Sequence, residues 1–161
     1  MKKISLLMLL LILGCGIALA QSSQSVPDPW VGTWKLDLSQ SQLRNPAPRE
    51  QTVRVESVNQ GPIRYTISGT DANGKPFLQS FDGKSDGQAY PIAINGREGG
   101  QITYQKVSDR EYTGQGKMLD GTTETNTITL SPDGQTITVK SHGTSSQGTF
   151  DETAVFARQP Q

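Results

Sequence analysis

Ile63-Arg64-Tyr65-Thr66-Ile67, then Asp71-Ala72-Asn73-Gly74, then Phe77-Leu78-Gln79-Ser80-Phe81 carries the clearest structural pattern in the chain. In the first run apolar side chains alternate with polar ones. A pleated strand sends successive side chains to opposite faces, so a period of two marks one buried and one wet face. The Asn73-Gly74 pair between the runs suits a tight hairpin, because both residues reach positive φ at little steric cost. The unit reads as strand, turn, antiparallel strand.

The same unit recurs in both directions. Upstream lie Val53-Arg54-Val55-Glu56 and an opening strand in which Trp34, Leu36 and Leu38 alternate with Lys35 and Asp37. Between them, Ser39 to Arg49 carries Pro46 and Pro48 without periodicity and reads as a loop. Downstream come Tyr90 to Ile94, Ile102 to Gln105, Glu111 to Met118, Thr122 to Leu130, Thr136 to Lys140 and Thr149 to Arg158. Six Asn-Gly or Asp-Gly pairs separate runs: 73–74, 82–83, 86–87, 95–96, 120–121 and 133–134. No 3.6-residue period long enough for a helix appears after residue 20. About eight to ten short strands spaced roughly 8–12 residues apart predict an all-β domain over 30–161, an antiparallel up-and-down meander forming a barrel.

The residues before that domain read differently. Lys2 and Lys3 precede the uncharged run Ile4 to Ala20, which ends in the small-x-small pattern Ala18-Leu19-Ala20. This predicts a signal peptide over 1–20, hence a secreted or periplasmic protein, and a polar, proline-bearing flexible lead over 21–29. Within the signal, Leu13-Gly14-Cys15 also has the look of a lipid-attachment site. In that alternative Cys15 would be the acylated anchor. Cys15 is the single cysteine of the chain, so a domain cleaved after Ala20 has no disulfide, thiol nucleophile or thiolate metal site. With Lys2 and Lys3 removed from 15 basic side chains against 15 acidic, the remainder is slightly acidic. Its charges are scattered singly. Nucleic acid, which needs clustered Lys and Arg against phosphates, is not an expected partner.

Catalytic patterns are weak. The single histidine, His142, sits near Ser145, Ser146 and Asp151, but no Gly-x-Ser-x-Gly elbow accompanies it and the stretch reads as an exposed turn. One histidine and no cysteine beyond the signal leave no ordinary zinc site. Asp71-Ala72-Asn73-Gly74 and Asp82 to Gly87 are oxygen-rich, yet neither continues to the glutamate that completes a calcium loop. Asp151 and Glu152 are neighbours on one strand, so they face opposite ways and cannot act as a carboxylate pair. The expectation is a non-enzyme without metal or cofactor. Tyr65, Phe81, Tyr104 and Tyr112, with Phe150 and Phe156, fall on predicted strands in phase with apolar neighbours. Facing inward, they either line a pocket for a small ligand or fill a narrow barrel.

Gly32-Thr33-Trp34, opening the first strand of a long meander, resembles the Gly-x-Trp signature of lipocalins and other calycin barrels. The resemblance implies that Trp34 closes one barrel end against a basic residue of the last strand, a place Arg158 occupies. A guanidinium on an indole face is a cation–π contact. Gly32 to Asp37 with Ser39 and Ser41, and Gly69 to Pro76, are also similar to small exported lipocalin-like proteins of bacteria. That likeness implies a monomeric, non-enzymatic barrel for a small apolar or amphipathic ligand, lined by Tyr65, Phe81, Tyr104 and Tyr112. The alternative is a structural or interaction module of the cell envelope with a filled interior. No membrane span is expected after signal cleavage.

Overall fold

A computed structural model describes residues 27–59 and 61–160. The expected signal peptide over 1–20 and its Cys15 lie outside the described residues. Ten strands follow in sequence: β1 (Gly32–Leu36), β2 (Glu50–Ser57), β3 (Ile63–Thr70), β4 (Pro76–Gly83), β5 (Asp86–Ile94), β6 (Arg97–Ser108), β7 (Glu111–Met118), β8 (Thr123–Leu130), β9 (Thr136–Ser145) and β10 (Gly148–Arg158). Each pairs antiparallel with the next, and β1 also pairs with β10 through Trp34 opposite Arg158 and Leu36 opposite Phe156. The all-β meander is therefore a closed ten-stranded barrel with no free sheet edge.

The alternation explains why this sequence closes inward. On β8 the side chains of Thr123, Thr125 and Thr129 are exposed, while Asn126 and Leu130 are buried. Threonine is β-branched and suits a strand whose outer face meets water. Trp34, Ile92 and Leu130 are the largest fully buried side chains. Burial of an Ile or Leu of this kind stabilises a fold by roughly 1.5–3 kcal/mol. Apolar inside and polar outside is the reverse of a membrane barrel, whose lipid-facing band is apolar. Among the described residues no helix is long and apolar enough to cross a membrane.

Two details depart from the sequence reading. Leu38 does not extend β1: it is 46% exposed, because Asp37 turns the chain. The Asp37 carboxylate accepts from the Ser39 amide at 2.9 Å and from the Ser39 hydroxyl at 2.6 Å. Four Asn-Gly or Asp-Gly pairs lie in the hairpin connections, Asn95-Gly96 with both residues at positive φ. The other two do not turn the chain. Gly83 ends β4 facing inward, where an added Cβ would stand 2.5 Å from the Phe81 ring, and Asp86-Gly87 begins β5 at a register shift. Of the lead expected over 21–29, only residues 27–29 are among those described, and they include Asp28. Its carboxylate accepts from the amides of Trp30 at 3.1 Å, Val58 at 3.2 Å and Asn59 at 2.6 Å.

Candidate functional site

The barrel has one stoppered end and one open end. The stopper is built where β1 begins and β10 finishes. Trp34 is fully buried and its indole N–H donates to the Trp30 carbonyl at 3.0 Å. The Arg158 guanidinium lies 4.1 Å over the Trp34 ring, so the structure brings together the pair implied by the family resemblance. Arg158 also donates to the carbonyls of Gly134 at 2.7 Å, Val31 at 2.9 Å and Pro29. Burial pulls its pKa below the ordinary arginine value. Trp30 completes the floor. Its N–H reaches the Asp109 carbonyl at 2.8 Å and its ring meets Tyr112 edge-on at 5.5 Å.

Above this floor runs a cavity of about 440 Å³. Trp30, Trp34, Ile137 and Phe156 form its base, and Val53, Val55, Ile67, Ile102, Ile128 and Val139 its apolar wall. Of the four aromatic residues expected to line a pocket, Tyr65, Tyr104 and Tyr112 do so. Phe81 does not reach the cavity: it is packed behind them, stacked on Tyr65 at 5.4 Å and edge-on to Tyr104 at 5.1 Å. Tyr112 offers its ring only, since its hydroxyl donates to Asn59 at 2.7 Å.

The Tyr65 and Tyr104 hydroxyls meet at 2.8 Å. Burial pushes the Tyr65 phenol up to about 12, and carries Tyr104 well above the usual tyrosine value, with the nearby Glu124 carboxylate adding to both. Both phenols therefore stay protonated through the physiological range. The remaining polar lining comes from residues that the sequence reading did not single out: Gln51, Gln79, Glu124, Asn126 and Ser141. A signal for two of them was present in β8, where Glu124 and Asn126 share the phase of Ile128 and Leu130.

The rim is formed by the loop after β1. Leu43, Arg44, Pro46 and Pro48 all face the cavity. Backbone bonds between Gln42 and Thr153, at 2.7 and 2.8 Å, tie the loop to β10. Arg44 pairs with Glu152 at 3.0 Å and lies 4.1 Å over the Phe150 ring. Asp151, next to Glu152, points outward to His142 at 2.8 Å on the exposed face. The Ser145 hydroxyl goes instead to the Gly148 carbonyl at 3.4 Å, so no serine–histidine relay is assembled there. The Asp71 carboxylate is used within its own turn, on the amides of Asn73 and Lys75.

No protein-family profile and no curated protein matches the chain. Among solved structures it is similar to a redesigned β-barrel, at 13% identity over 83% of this chain and 94% of that one, with a TM-score of 0.50. A de novo designed fluorescence-activating β-barrel aligns at 17% identity over 82% and 95% of the two chains, with a TM-score of 0.44. The first likeness supports the barrel fold, and at such identities nothing further.

Proposed function

We propose that this chain is an exported, non-enzymatic, lipocalin-like barrel that takes up a small apolar or amphipathic molecule. One observation carries the reading: a cavity of about 440 Å³ inside the barrel, with an apolar base and a few inward polar groups. Concave, mostly apolar sites with a small number of placed polar groups are the usual form of small-molecule pockets. The Gly32-x-Trp34 opening and its Arg158 partner support the lipocalin-like part, and the pattern over residues 1–20 supports export. The rival module of the cell envelope calls for a filled interior, against which the cavity weighs.

The test is a titration with diphenylhexatriene, an apolar dye that fluoresces when shielded from water. The unaltered protein should take up one dye per chain. Val139→Trp, which places an indole in the middle of the cavity, should abolish uptake while leaving the thermal melt cooperative. No uptake by the unaltered protein, or uptake indifferent to Val139→Trp, would overturn the reading.

A further inference from the structure

The ligand-binding reading is the premise here, and the walls of the cavity narrow it. One line of inward positions crosses five strands as successive partners: Tyr104 on β6, Gly114 on β7, Asn126 on β8, Ser141 on β9 and Glu152 on β10. In the adjoining line Glu124 stands between Gly116 and Gly143. These glycines make room for the Tyr104, Glu124 and Phe150 side chains that pack over them in this bay of the wall. A Cβ on Gly116 would come within 3.2 Å of the Glu124 carboxylate, and one on Gly114 within 2.9 Å of the Tyr104 ring.

The bay presents acceptors in want of donors. Asn126 is 8% exposed. Its amide N–H donates to Glu124 Oε1 at 3.1 Å, while its Oδ1 is buried with no partner. The orientation is forced, because exchanging the amide N and O would set Oδ1 against the carboxylate. A buried acceptor left unpaired is costly and rare in native proteins. Glu124 likewise forms no ion pair among the described residues. Arg44, the one basic side chain lining the cavity among the described residues, is committed to Glu152 and Phe150.

We propose that the ligand is a small amphipathic amine, its ammonium held by the Glu124 carboxylate and Asn126 Oδ1 and its apolar part lying against Ile102, Ile128 and Val139. An ammonium brings several donors and a positive charge, which answers both deficits at once. The nearby faces of Tyr65 and Tyr104 add to its attraction. A carboxylate headgroup in the same place would face Glu124 charge to charge.

Calorimetric titration of the unaltered protein at neutral pH with octylamine, 1-octanol and octanoate, three probes sharing one tail, tests this. Octylamine should bind about tenfold more tightly than octanol, and octanoate most weakly. Glu124→Gln should remove the amine's advantage, bringing octylamine and octanol to comparable affinities. Octanol or octanoate binding at least as tightly as octylamine, or a ranking indifferent to Glu124→Gln, overturns the amine while sparing the pocket. Absence of binding by all three overturns the pocket reading as well. The ranking needs only the unaltered protein, so it decides the question even where the variant fails to fold.

Discussion

The two ends of this barrel are made from the same ten strands and spend their polar groups in opposite ways. At the stoppered end the polar groups that close it are paired. Asp28 serves three amides, Arg158 three carbonyls, and both indole N–H groups and the Tyr112 hydroxyl have acceptors. Toward the open end, an amide oxygen is buried without a partner and a carboxylate has no cation among the described residues. Fully satisfied buried networks rigidify a core, whereas an unsatisfied one costs stability. The two ends thus divide the labour: one holds the fold closed, and the other keeps hydrogen-bonding capacity in reserve.

Arg158→Ala strikes the stoppered end directly. The substitution removes the cation over Trp34 and leaves the carbonyls of Gly134, Val31 and Pro29 without their shared donor. Hydrogen bonds to charged groups are worth about 1.5–3 kcal/mol each, and losses in such clusters are not additive. The expected loss is about 2–4 kcal/mol by denaturant unfolding, with a shift in tryptophan emission, since Trp30 and Trp34 both sit in the stopper. An unchanged midpoint and spectrum would mean that the stopper does not hold the barrel closed.

A smaller effect separates the tyrosines by pH. The Tyr65 phenol is raised to about 12 and Tyr104 well above its usual value, with burial the leading cause in both. An unfolded chain releases phenolic protons near ~10. Between that value and about 12 the native state holds more protons than the unfolded one, so stability falls as pH rises through this window and is fully present below it. Tyr112, raised to about 12 mainly by burial, contributes in the same sense at the stopper. The ultraviolet absorbance of phenolate should grow in step with loss of tertiary signal, most of it above ~10. Free ionisation of all four tyrosines in a still-folded protein would show that the phenols are not sealed in.

How much of this was legible in the sequence follows from the same contrast. The alternation of Ile63, Tyr65 and Ile67, repeated between Asn-Gly and Asp-Gly turns, is a local property, so eight to ten strands and most of their inward faces could be read directly. Trp34 and Arg158 were accessible because a known signature joins the two ends of the meander. The bay around Glu124 was not, because cross-strand partners lie about ten or more residues apart and register is a tertiary fact. Only the intrusion of Glu124 and Asn126 into the apolar phase of β8 hinted at it. Asp82-Gly83 misled for a related reason. The dipeptide that favours a turn also supplies a side-chain-free position beside Phe81 and Tyr90, and packing took precedence over turn preference. Phe81 was in phase but is screened from the cavity by Tyr65 and Tyr104, which no periodicity could reveal.

The smallest expected effect is at the rim. Arg44 pairs with Glu152 and covers Phe150, as Arg158 covers Trp34, so the two arginines form a matched test of the two ends. Their settings differ. The Arg44 side chain is 47% exposed, where an ion pair is worth about 0–1 kcal/mol and is screened by salt. The loop that carries it is held independently by the Gln42–Thr153 backbone bonds and by the Val155 amide on Ser41 Oγ at 2.9 Å. Arg44→Ala should therefore cost no more than about 1 kcal/mol, with the tryptophan spectrum unchanged. A loss equal to that of Arg158→Ala would show that the rim holds the barrel as firmly as the stopper does, and the division between the ends would fall.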